Sequence, residues 1–89
     1  MKSRSMNEQE LLTLNLAASL HRELLTASTV CGCFRCLSMF GHYEIRKWIQ
    51  HANTALCPRC GEDAVIGNAS WPGLTRKTLE EMHKRWFEK

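Results

Sequence analysis

Apolar residues crowd the first third of the chain in a helical rhythm. Residues 7–28, NEQELLTLNLAASLHRELLTAS, contain no Gly or Pro, and Ser5 with Glu8 stands at capping-box spacing ahead of the run, so the pattern predicts one long helix. On that helix Leu11, Leu14, Ala18 and Leu25 form one stripe, and Leu12, Leu16, Leu20 and Leu24 form a second along the i, i+4 row. Only the arc of Glu8, Asn15, Ser19 and Arg22 is polar. A helix apolar over so much of its girth needs contacts on two sides. Either the rest of the domain wraps it, or the second stripe meets a partner protein or a second copy, because exposed apolar stripes of this size are uncommon on monomers.

Beyond residue 30 the rhythm shortens. Ile45, Trp48 and Ile49 recur at i, i+3, i+4 and predict a short amphipathic helix over about 42–52. TALCPRCGEDAVIG, residues 54–67, reads as a hairpin or two short strands around a Pro- and Gly-marked turn. NASWPG is a loop, and residues 75–88 predict a last helix capped by Thr75 with Leu79, Met82, Trp86 and Phe87 on one side. No repeat of solenoid period is present, but CFRC and CPRC echo each other.

Those two short blocks carry the strongest chemical signal. Zinc takes four ligands in a tetrahedron, and a Cys-x-x-Cys turn offers two thiolates while its backbone N–H groups bond the sulfurs. Cys33 with Cys36, and Cys57 with Cys60, meet this requirement, and Pro58 and Gly61 suit the second turn. Cys31, one residue from Cys33, has a poor bite for the same ion. It reads as a small buried hydrophobe, with the alternative that it exchanges with a ligand on oxidation and makes the site a redox sensor. An iron–sulfur cluster is the second choice of cofactor after zinc.

Size sharpens the zinc reading. A chain of 89 residues is one domain, read as residues 1–30 for the Leu-rich helix, 31–67 for the zinc-knuckle core and 75–88 for the C-terminal helix. A domain so short hides only about 60–65% of the surface its unfolded chain exposes, so its core needs a staple. The odd cysteine count, and a basic start MKSR not followed by an unbroken apolar stretch, favour reduced metal ligands in the cytoplasm over secreted disulfides. No stretch reaches the ~18 apolar residues of a membrane span.

Net charge is +3, and the whole excess lies in residues 31–60, where Arg35, Arg46, Lys47 and Arg59 outnumber Glu44. Four thiolates with one zinc ion would bring the total to about +1, which is weak support for nucleic acid. The four cations read either as a phosphate or nucleic-acid contact or as an offset to the negative centre, and no regular aromatic interleaving accompanies them. Of the histidines, His42 or His51 with Asp63 is the one combination that would serve an HNH-type metal-dependent nuclease, but neither sits in a clear motif. His83 reads as a packed helix residue and Asp63 as a turn cap.

CGCFRC, EIRKW, TALCPRCGEDAVIG and MHKRWF resemble, in the same order, the blocks of a family of short bacterial proteins described only as cytoplasmic proteins. The resemblance spans about residues 31–87. It implies a soluble zinc-binding protein in which Cys33, Cys36, Cys57 and Cys60 are the paired knuckles and Cys31 is the extra cysteine; it implies no activity. The SWPGL loop departs from the family's Gly-Tyr-Pro type of segment, and the first helix lies outside the resemblance.

The expectation is therefore an α+β mini-domain of zinc-ribbon or treble-clef type. Its expected work is non-enzymatic: a regulatory or adaptor module, homodimeric or bound to a protein partner through Leu12, Leu16, Leu20 and Leu24. A nucleic-acid-binding zinc module is the alternative, and a small nuclease the third.

Overall fold

A computed structural model describes residues 6–19 and 21–88. The first helix, α1, runs Glu8–Leu16 and opens with a reciprocal cap. The Asn7 side chain accepts from the Glu10 amide at 2.8 Å, and the Glu10 carboxylate accepts from the Asn7 amide at 3.0 Å. The capping box therefore lies two residues later than expected, and Ser5 falls outside the described residues.

The single helix over 7–28 is not formed. The chain turns at Ala17–Ser19 and restarts as α2, Arg22–Thr26, with His21 at its N-cap. The break has a packing logic, because Leu14, Ala18 and Leu25 are all buried in one core, and the His21 amide donates to the Asn53 carbonyl at 2.7 Å instead of continuing a helical ladder. The first predicted stripe is thus core. Of the second, Leu12, Leu16 and Leu24 are exposed, at 40, 76 and 43%, while Leu20 lies outside the described residues.

Five short strands follow. Strand β1, Cys31–Cys33, is central in an antiparallel sheet of order β2–β1–β5, with β2 at Met39–Phe40 and β5 at Val65–Gly67. Cys31 stands opposite both Phe40 and Gly67, and Cys33 opposite Val65. The helix predicted over 42–52 is replaced by a 3-10 turn, His42–Glu44, and strand β3, Lys47–Ile49, which pairs with β4, Thr54–Leu56. Cross-strand pairing of Trp48 with Ala55 overrides a helical signal that rested on three β-favouring residues. Likewise 54–67 forms two strands but no hairpin, since β4 and β5 belong to different sheets.

Helix α3, Arg76–Trp86, starts after Thr75 as expected, and the Thr75 amide donates to the Thr78 hydroxyl at 3.2 Å. It lays Leu79 and Met82, both fully buried, against β1. It is tied to α1 by a forked contact from Arg85 to Glu8, with nitrogen–oxygen distances of 2.8–3.0 Å. The core thus lies between the three-stranded sheet and the helices. Among the described residues no helix is long and apolar enough to cross a membrane.

Candidate metal centre

The two Cys-x-x-Cys turns fold alike because each follows a strand and reverses in the same hydrogen-bond pattern. After β1, Cys33 donates its amide to the Ser38 carbonyl at 3.0 Å and its carbonyl accepts from Leu37 at 2.8 Å. After β4, Cys57 donates to Glu62 at 2.8 Å and accepts from Gly61 at 2.9 Å. In both turns the amide two residues on, of Arg35 or Arg59, donates to the first sulfur at 3.3 Å. The residue after the second cysteine is left-handed in both, Leu37 at φ 67° and Gly61 at φ 82°. Gly61 adopts this without steric cost, whereas Leu37 does not.

The Phe34 amide donates to the Ala64 carbonyl at 3.0 Å, which sets the first turn against the segment that follows the second. The four sulfurs meet. Cys33 and Cys60 stand 3.6 Å apart, Cys36 and Cys57 3.7 Å, and all four lie within 4.8 Å of one another. A metal with bonds of about 2.3 Å to four sulfurs in a regular tetrahedron requires edges of about 3.8 Å. Cys33, Cys36, Cys57 and Cys60 therefore fit a four-coordinate metal ion, with amide donors to sulfur already in place.

The thiols are not equivalent. Burial pushes the Cys33 thiol above its ordinary range, against the pull of the Cys36 and Arg35 amides. Burial also raises Cys60. At Cys36 burial is outweighed by hydrogen bonds from the Ser38 hydroxyl and amide and from the Cys57 and Cys33 thiols, which bring it down to about 7. Cys31 stands apart. It is fully buried, its sulfur 3.9 Å from the Leu25 carbonyl, and burial alone pushes it up to about 11. Among the described residues the four-cysteine cluster is the one group of three or more such side chains able to hold a metal; Cys31, His42, His51 and Asp63 do not join one.

The cations around the centre divide into two kinds. Arg35 faces Glu62 at 3.9 Å and lies over the Phe87 ring, and Arg59 pairs with Glu44 at 2.9 Å. Arg46 and Lys47 have no carboxylate partner among the described residues. They line a cleft of 380 Å³ with Leu56, Cys57, Pro58, Cys60 and Gly61. His83 packs as expected: its Nδ1 lies 3.0 Å from the Phe34 carbonyl and its ring stacks on Phe87, so α3 braces the first turn.

The residue sequence reasoning passed over is Tyr43. Its ring is exposed and joins Glu44, Arg46, Pro58 and Arg59 in a second cleft of 640 Å³. The available signal was GHYEIRK, an aromatic three residues before a basic pair. Searches against protein-family models, curated proteins and solved structures give no match to this chain.

Proposed function

We propose that this protein is a non-enzymatic binding module of zinc-ribbon type, closed by a structural zinc ion on Cys33, Cys36, Cys57 and Cys60. The observation that carries the reading is the convergence of four sulfurs, from two turns 20 residues apart in sequence, at near-tetrahedral spacing. Four thiolates complete the preferred coordination of zinc and leave no position for water or substrate, which supports a structural over a catalytic role. A ribbon is favoured over a treble clef because both pairs lie on turns that follow strands and none comes from the start of α3.

Zinc in such a site contributes roughly 10–16 kcal/mol of apparent binding free energy at neutral pH. That matches or exceeds the whole stability of a typical domain, about 5–15 kcal/mol. The regulatory or adaptor role is supported by Leu12, Leu16 and Leu24, which offer apolar surface on α1 and α2 to a protein partner or a second copy. A second reading, binding of nucleic acid, is favoured by Arg46 and Lys47, which have no carboxylate partner among the described residues and share a cleft.

Native mass spectrometry of the chain prepared without chelator tests the proposal. One zinc per chain, lost together with far-UV circular dichroism on chelation and on Cys57→Ser, is the expected result. A folded, zinc-free chain would overturn it. The assembly mass in the same spectrum separates a homodimer from a monomer that needs a foreign partner.

A further inference from the structure

We propose that the surface formed by Tyr43, Arg46, Lys47 and Arg59 binds single-stranded nucleic acid, with backbone phosphates on the cations and a base stacked on Tyr43. The inference rests on the proposed zinc module only in that the second knuckle must be folded to present this face.

The charge distribution comes first. Arg35, Arg59, Arg76 and Arg85 each face a carboxylate, and Arg22 lies over the Trp48 ring and donates to the Ala52 carbonyl. Arg46 and Lys47 instead line a cleft with Leu56 and Pro58 and with Cys57 and Cys60 of the sulfur cluster. Two adjacent cations with no carboxylate partner among the described residues, beside Leu56 and Pro58, suit an anion with an apolar or aromatic attachment. A phosphodiester chain has both.

The aromatic platform is the second observation. The 3-10 turn puts Tyr43 at the surface, 80% exposed. Its ring lies against the Gly41 backbone, where a Cβ would collide with it, and the His42 ring meets it edge-on at 6.1 Å. The ring therefore stands at the surface with contacts to Gly41 and His42 on part of its rim, leaving most of it open to a stacked base. Arg46 and Pro58 line both clefts, which makes one continuous face from Tyr43 to Lys47. Both clefts, 380 and 640 Å³, fall within the ~300–1,000 Å³ usual for small-molecule sites.

Arg59 completes the set but is held by Glu44, whose other oxygen lies 3.4 Å from the Gly41 amide. A phosphate competes with Glu44 for that guanidinium, so the acid weakens the site and Glu44→Gln should tighten it. An acidic peptide would satisfy the cations but would leave Tyr43 without a stacking partner, which is why nucleic acid is favoured.

Fluorescence anisotropy with a labelled thymidine or uridine oligomer of about ten nucleotides tests the proposal. Three phosphate contacts predict a log–log salt slope of about −2, or an affinity about 20-fold weaker at 200 mM than at 50 mM salt. Tyr43→Ala should lose at least about fivefold while Tyr43→Phe does not, and Arg46→Ala with Lys47→Ala should flatten the slope by about 1.4. All three positions are solvent-facing or half-buried, and zinc content and circular dichroism are read on every sample. A folded, zinc-loaded chain that ignores the oligomer at low salt sinks this inference alone. So does equal displacement by inorganic phosphate or polyglutamate at matched charge, or binding indifferent to all the substitutions. A zinc-free chain that still binds the oligomer keeps it and sinks the zinc reading instead.

Discussion

His21 is buried, 4% exposed, and its ring nitrogens have no well-formed hydrogen bond among the described residues. Burial holds its pKa below the ordinary 6.5, opposed by a backbone hydrogen bond with Ser19. The folded protein therefore keeps His21 neutral where the unfolded chain takes up a proton. Since the folded pKa is depressed, stability is fully present above pH 6.5 and falls as pH drops toward the folded pKa. The slope reaches at most about 1.4 kcal/mol per pH unit. Its side chain makes no capping bond, so His21→Leu gives up only the Ser19 contact and removes buried ring atoms without a well-formed bond, which cost about 1–3 kcal/mol. The variant should be more stable at pH 7.5, and its advantage should grow by up to about 1.4 kcal/mol at pH 5.5. Urea unfolding followed by tryptophan fluorescence in a zinc buffer measures both, and taking the difference between the two proteins cancels the protonation of the shared thiols. Parallel stability curves from pH 7.5 to 5.5 would refute the argument, for they would mean that His21 is charged or paired in the fold.

Leu79→Ala removes a fully buried side chain that seats α3 on β1 and should cost about 2–5 kcal/mol in the same assay. Cys31→Ala should leave the metal content by mass spectrometry at its wild-type value while lowering stability by ~1 kcal/mol for a small cavity; loss of metal would place Cys31 among the ligands. In the β3–β4 turn Gln50, His51 and Ala52 are successively left-handed, at φ 54°, 60° and 65°. That conformation costs about 1–2 kcal/mol per non-glycine residue, partly returned by the extra freedom glycine has when unfolded, so Ala52→Gly should raise the urea midpoint. A lowered midpoint would show that the turn is not strained.

The candidate metal centre was legible because the determinants of its two turns are local. A Cys-x-x-Cys turn needs only its own five or six residues, and Thr75 likewise announces α3 from its own neighbourhood. The break after α1 was not legible, because no Gly or Pro marks it. It is set by what lies far along the chain, the Asn53 carbonyl that takes the His21 amide and the Ala52 carbonyl that takes the Arg22 guanidinium. Strand β3 was hidden for the same reason: Trp48 is a strand residue only because Ala55 stands opposite it. These two misses share a cause, since the β3–β4 turn that follows Trp48 also takes the His21 amide ahead of α2. The division says what a metal ion would contribute here. Cys33 and Cys36 hang from the three-stranded sheet, Cys57 and Cys60 from the end of β4 in the other sheet, and the two sheets share no strand. Besides side-chain packing, the Arg35–Glu62 pair and the bonds from His21 and Arg22 to the β3–β4 turn, the sulfur cluster joins the turn after β1 to the turn after β4. A metal ion there would fix these two turns against each other, and with them the second knuckle on which Pro58 and Arg59 stand beside Tyr43, Arg46 and Lys47.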